Sequence, residues 1–159
     1  MTSPLDDDRL TAFGLLREVY QGLSDKCAAS LAAHGLSDNE FEILLRLGRT
    51  PSGRMRMSDL AAQTTLTTSG VTRVVDRLER AGLVDRESCD RDRRGTWAAI
   101  TSAGTTTVSA AVTDHVADIE KSYTGLLTPD QLSELINALR IVRDAVRPDA
   151  VAGAQTSGT

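Results

Sequence analysis

Residues 67 to 94, TTSGVTRVVDRLERAGLVDRESCDRDRR, join a short amphipathic helix to an arginine-rich turn with room for only one strand between them. Val71, Val74, Val75 and Leu78 recur at the three- and four-residue steps that align on one helix face, so that face seeks a core. Ser69, Thr72, Arg73, Asp76 and Arg77 fall on the other face. Thr67 stands where a threonine oxygen accepts from the free amides of a first turn, and Gly82 where a left-handed residue ends a helix. The spacing therefore predicts a helix from about residue 68 to 81. Upstream, SDLAAQT reads as a shorter helix capped by Ser58, with Leu60 and Ala61 facing inward and TTLT as a tight connection. Two short helices in this order, the second with a polar and basic outer face, have the dimensions of a helix-turn-helix.

The segment Leu83 to Glu87, the turn CDRDRRG and the run TWAAIT follow the pattern of a two-stranded hairpin. Its tip holds Arg91, Arg93 and Arg94, flanked by Asp90 and Asp92. A guanidinium, with its fork of donors and weak hydration, suits phosphate or the narrow minor groove. Asp92 is placed to fix the direction of Arg94 before contact.

At this point the chain resembles the MarR family of bacterial transcription regulators. The wing of that family is matched by DRRGTWAAIT, from Asp92 to Thr101, and its recognition helix by LTTSGVTRVVDRLERAGLV. The likeness extends from LSDNEFEILLRL through MSDLAAQT and, more loosely, over residues 5 to 147. Cys89 is a departure, standing in a wing strand where a proline or small residue is more usual. The resemblance implies a mostly α fold with a small β-hairpin wing, a winged helix-turn-helix with N- and C-terminal dimerisation helices. Residues 36–101 would form the DNA-binding lobe and residues 5–34 and 102–147 the dimerisation helices of one domain. The tail, residues 148–159, shows no periodicity and reads as disordered.

A net charge of −4 argues against a polyanionic partner until its distribution is considered. Residues 54–97 carry nine basic and seven acidic side chains, whereas residues 1–53 carry five and eight and residues 98–159 four and seven. Only the middle of the chain is net positive, so binding to DNA would rest on a local field, doubled in a dimer, and on directed contacts. Aromatic residues are only 3%, which leaves Leu, Val, Ile and Ala to fill the core. No apolar run approaches the length of a membrane span, and the start, MTSPLDDDR, is acidic rather than signal-like, so a cytoplasmic protein is expected. Cys27 and Cys89 have neither metal-ligand nor CxxC spacing. The two histidines, His34 and His115, lie in no nucleophile or metal motif and read as surface or helix-terminal residues; GxxxxGK is absent. No enzymatic activity, cofactor or metal is therefore expected.

Leu10, Phe13, Leu16, Tyr20, Leu23, Cys27 and Leu31 mark one long helix from about residue 6 to 33. LSDNEFEILLRL opens with Ser37 and Glu40 in a capping box. Residues 102–125 are helical but weakly apolar. A last helix begins after Thr128 with Pro129 in its first turn, and carries Leu132, Leu135, Ile136, Leu139, Val142 and Val146 on one face. Both terminal helices hold more apolar surface than a small winged helix needs, which suggests a homodimer, and the resemblance implies the same. A two-fold dimer would set two recognition helices in successive major grooves, on an imperfect palindrome with half-sites about 10 base pairs apart.

Arg73 is the candidate base reader, because bidentate bonding to guanine N7 and O6 is the commonest specific contact. Ser69 and Thr72 are short donors for base edges or phosphate, while Thr67, Thr68 and Arg77 suit the backbone at either end of the helix. Arg94, then Arg93, and Arg91 beside them would serve the minor groove, and Arg86 would reach phosphate from its strand. Against each arginine stands a solvated surface charge or a pair within the helix, such as Asp76 with Arg80. The resemblance further implies release by a small aromatic or phenolic effector, or by oxidation. Phe13, Tyr20 and Phe41 are candidates to line an effector cleft, with ordinary core packing as the competing role. Cys89, beside Arg86 and Arg91, is a candidate redox sensor, and Cys27 a buried hydrophobe. A dimeric adaptor that binds only protein is a further alternative, and it predicts loss of the exposed arginines that are present here.

Overall fold

The computed structural model describes residues 4–88 and 96–150. Helix α1 (Asp8–Ala33) is started by Asp7, whose carboxylate accepts from the Arg9 amide at 2.9 Å. It is closed by Gly35 at φ 72°, which lets the Gly35 and Leu36 amides turn back to the Ala32 and Leu31 carbonyls. At 1.5 Å per residue α1 spans roughly 39 Å, yet it buries only Cys27 and Leu31, near its C-terminal end. Leu10, Phe13, Leu16 and Tyr20, farther up, are exposed.

Helix α2 (Asp38–Arg49) opens with the expected Ser37/Glu40 capping box and buries Phe41, Ile43, Leu44 and Leu47. A short strand β1 (Arg54–Arg56) leads straight into α3 (Met57–Gln63). Ser58 is not the cap: the residue before the helix is Arg56, which makes no side-chain cap bond, and the Ser58 hydroxyl instead meets the Asp59 carboxylate at 3.4 Å. The strand hands the chain to the helix two residues earlier than capping chemistry alone suggests.

Helix α4 (Thr68–Arg80) follows the sequence reading closely. Thr67 Oγ1 accepts from the Gly70 amide at 3.1 Å, and Val71, Val74, Val75 and Leu78 are all buried. Gly82, at φ 71°, closes it, with its amide on the Glu79 carbonyl and that of Leu83 on Leu78, both at 2.9 Å. Strands β2 (Val84–Ser88) and β3 (Thr96–Ile100) pair antiparallel, and β1 adds to the other edge of β3. The sheet is thus three-stranded, in the order β1-β3-β2, rather than the two-stranded hairpin expected. Three residues of RMR are too short to show a period, and they become a strand only through pairing with distant β3.

The register sets Ala98 between Met55 and Arg86, and Val84 beside Ile100, on the face packed against the helices. Arg54, Arg56, Trp97 and Glu87 share the opposite face. Helix α5 (Ser102–Ser122) is started by Thr101, whose hydroxyl accepts from the Gly104 amide at 3.0 Å and donates to the Gly82 carbonyl at 2.8 Å. One side chain thus fastens the ends of α4 and α5 together. A 3-10 turn (Thr124–Leu126) leads to α6 (Pro129–Val146), which has a Thr128/Gln131 capping box and the expected proline in its first turn. The core, from Leu31 through Leu44, Leu60, Val75, Leu78 and Val84 to Ala111, lies under α2, α3, α4 and the sheet. α6 buries none of its residues within one chain; Ile136, Leu139, Val142 and Val146 are exposed.

Candidate nucleic-acid interface

The outer face of α4 is built on a helix that cannot roll, because four apolar residues on its inner face are locked in the core. Thr67, Thr68 and Ser69 stand exposed at its N-terminal end. The Thr67 hydroxyl is engaged as the helix cap and lies 3.2 Å from that of Ser69. Thr72 is half-buried and donates to the Thr68 carbonyl at 3.0 Å. Arg73 is exposed, with Nε on the Ser69 carbonyl at 3.3 Å. Among the described residues nothing accepts from its terminal nitrogens, so a fork of donors projects from the middle of the helix, steadied at its base.

Arg77 and Arg86 occupy different surroundings from those expected. Arg77 Nε donates at 2.9 Å to Glu40, which lies 37 residues away on α2. Arg86 lies on the helix-facing side of the sheet rather than reaching outward. Its Nη2 donates to the Thr72 carbonyl at 3.2 Å and pairs with Asp76, while Nε lies 3.5 Å from Glu79 without hydrogen-bond geometry. Asp76 is therefore taken by Arg86, and Arg80 reaches only the Asp76 backbone carbonyl, at 3.1 Å. An arginine between the wing strand and the recognition helix ties the two together and offsets part of the negative charge of Asp76 and Glu79, which would otherwise repel a polyanion. Arg86→Ala is expected to weaken specific DNA binding by about 1 kcal/mol, roughly fivefold, given its partial exposure. The slope of affinity against salt should stay unchanged in a salt titration, whereas loss of a phosphate contact would lower it by about one.

Glu40 joins the capping box to this interface. Burial pushes its carboxyl up, but hydrogen bonds from the Ser37 hydroxyl and amide and then from Arg77 outweigh it and hold the group below the ordinary glutamate range. A depressed carboxylate contributes stability that is fully present above the unfolded value and is lost as pH falls through the folded one. The stability advantage of the native protein over Glu40→Gln should thus be constant near neutrality and shrink below about pH 4.5. Urea unfolding at several pH values measures it, and a gap independent of pH would contradict the assignment.

Two residues that the sequence reading passed over, Arg54 and Arg56, lie on the outer face of the sheet. Their guanidinium carbons are 5.2 and 5.3 Å from the Trp97 ring centroid, and Arg54 also pairs with Glu87 at 2.9 Å. Only β1 pairing reveals this cluster. Arg91, Arg93 and Arg94, with Asp90, Asp92 and Cys89, lie outside the described residues, as does the tail beyond residue 150.

The candidate effector aromatics are not gathered in one chain. Phe41 is buried in the core with its ring 4.7 Å from that of His115, while Phe13 and Tyr20 are 62% and 64% exposed. His115 is half-buried rather than a surface residue, and His34, the C-cap of α1, pairs with Asp114 at 2.7 Å. Cys27 is buried, and burial first, then the Asp118 and Asp38 carboxylates, push its thiol up, away from the reactive thiolate. Among the described residues no cluster is placed to hold a metal ion, and no helix is long and apolar enough to cross a membrane.

Comparison with known proteins agrees with this geometry. The MarR family model matches residues 34–95, from the end of α1 into the wing. AbsC, a MarR family transcriptional regulator from Streptomyces coelicolor, is 36% identical over 92% of this chain and 99% of its own, with a TM-score of 0.84. Sco3205, a MarR family regulator from the same organism solved in complex with DNA, is 28% identical over 93% of each chain, also with a TM-score of 0.84. The HTH-type transcriptional regulator MhqR of Bacillus subtilis is 29% identical over 117 residues, 74% of this chain and 79% of its own. With its helix-turn-helix, three-stranded wing sheet and near full-length likeness to AbsC, the chain belongs to the MarR family of DNA-binding transcriptional regulators, which are not enzymes.

Proposed function

We propose that this regulator acts in the cytoplasm as a homodimeric repressor on an imperfectly palindromic operator. Residues 36–101 form the reading lobe, and residues 5–34 and 102–147 the dimer arms. The observation that carries the reading is the outer face of α4, where Arg73, on a helix locked in the core, has terminal donors without an acceptor among the described residues. Arg73 reads guanine in the major groove, Ser69 and Thr72 contact base edges or phosphate, and Thr67 and Thr68 lie against the backbone. Arg94, with Arg93 and Arg91, enters the adjacent minor groove. The dimer reading is supported by the bare apolar faces of the terminal helices: Leu10, Phe13, Leu16 and Tyr20 on α1, and Ile136, Leu139, Val142 and Val146 on α6.

Release by a small aromatic or phenolic effector is part of the proposal. Phe13 and Tyr20 are bare in one chain, so an effector cleft would be completed by the second copy. Such a ligand acts only if it binds more tightly to the arrangement whose two recognition helices no longer match the DNA. Footprinting on the DNA upstream of the protein's own gene, together with sedimentation of the complex, tests the core of the reading. Two protected half-sites with centres about 10 base pairs apart, holding one dimer, are expected. Binding as a monomer to a single site would overturn it.

A further inference from the structure

The C-terminal end of α6 touches the helix-turn-helix of its own chain. Arg147, the residue that caps α6, donates from Nη2 to the Thr64 carbonyl at 2.6 Å and to that of Ala62 at 3.4 Å. Both carbonyls belong to the open C-terminal end of α3, where intrahelical donors run out and the negative end of the helix dipole favours a cation. The seat is rigid. Thr64 is buried, its hydroxyl donates to the Leu60 carbonyl at 2.7 Å, and the same oxygen accepts from the Leu66 amide at 3.4 Å. Thr67, the cap of α4, comes three residues later, so Arg147 grips the turn that aims the recognition helix. The contact joins residues 83 apart in the chain. It also comes from a helix that buries no residue of its own and leaves its apolar stripe bare.

We propose that Arg147 is a positioning residue, a strut through which the α6 arm holds the helix-turn-helix at a fixed place relative to the dimer axis. The proposal rests on the homodimer reading above. A dimer that reads two half-sites needs its recognition helices about 34 Å apart, and the stiffness between arm and lobe decides how sharply that spacing is enforced. Arg147 touches no DNA on this account. Its loss lets each lobe swing, so that binding at the preferred spacing must restrain a motion the intact protein has already restrained.

The test uses the full chain and a series of duplexes carrying the footprinted half-sites with their separation changed in steps of one base pair. The native protein is expected to show one sharp optimum. Arg147→Ala should lose affinity at that optimum on the order of tenfold, as for loss of a charge-assisted hydrogen bond, and much less elsewhere, so its profile flattens. Its dimerisation and salt slope should be unchanged. Arg147→Lys, whose ammonium can donate to the same carbonyls, should restore part of the optimum. Because the readout is the shape of the profile, a partly unfolded variant, which weakens every spacing alike, does not imitate the effect. An unchanged profile in Arg147→Ala overturns the strut. A uniform loss with a lower salt slope makes Arg147 a phosphate contact, and a loss of dimer makes it an interface residue; either result also overturns the proposal. Failure of the native protein to prefer any spacing would refute the dimer reading itself, and would be seen before any variant is compared.

Discussion

Arg73→Ala is expected to abolish discrimination between operator and unrelated DNA while leaving weak, general binding nearly intact. Arg73 emerges between the buried pair Val74 and Val75 and the exposed N-terminal turn of α4, with Nε tethered to the Ser69 carbonyl at 3.3 Å. Its position is set by the core, and its outer nitrogens have no acceptor among the described residues. A good bidentate arginine–guanine pair contributes about 1–3 kcal/mol of discrimination, so two copies in a dimer contribute about 2–6 kcal/mol, from roughly 30-fold to more than 10⁴-fold. Arg73→Lys keeps the charge and loses the fork, so it should fall between the two. Fluorescence anisotropy on operator and unrelated duplexes separates the roles. An equal loss on both would mean that Arg73 serves phosphate and that some other residue reads the bases.

The largest expected effect on stability is that of Gly104→Ala, in the first turn of α5. There the backbone passes so close to β3 and the loop before β2 that an added Cβ would overlap the Leu83 carbonyl oxygen and lie 2.8 Å from Ile100 Cγ1. Neither neighbour is free to give way. The Leu83 carbonyl accepts from the Thr101 amide at 3.1 Å, and Ile100 is paired with Val84 in the sheet. Overpacking of this kind costs about 3 kcal/mol or more, a fall in Tm of roughly 6–12 °C for a chain of this size. The same crowding links α5 to the wing strands, so the variant should lose DNA affinity together with stability. Thermal unfolding that matches the native protein would show that the arm and the wing are not packed as described.

The parts of this fold that were legible in the sequence are those specified by neighbours in the chain. The inner face of α4, its Thr67 cap and its Gly82 stop all lie within sixteen residues and follow from helical period and capping chemistry. The same holds for Ser37 with Glu40 on α2 and for Thr128 with Pro129 on α6. The parts that were not legible depend on chain returning from far away. β1 is three residues that become a strand only against β3, and with it go the Arg54–Trp97–Arg56 cluster and the true start of α3 at Met57. Arg77 and Arg86 stand on exposed-looking positions in any local reading, yet Glu40 and the Asp76–Glu79 pair claim them. Phe41 has the composition of a ligand-site residue and the burial of a core one, and only the approach of His115 from α5 decides where its ring lies.

The measurement that bears most directly on the central claim is a salt titration of binding to the DNA upstream of the protein's own gene. Unrelated DNA and the Arg94→Ala variant are the comparisons. Specific, dimer-stoichiometric binding is expected, with the logarithm of affinity falling linearly with the logarithm of salt concentration. The Arg94→Ala variant should lose most of that affinity, because the guanidinium that enters the minor groove has gone. Absence of salt-sensitive binding to any duplex would contradict the central claim, and would make the exposed α4 face a surface for protein rather than for DNA.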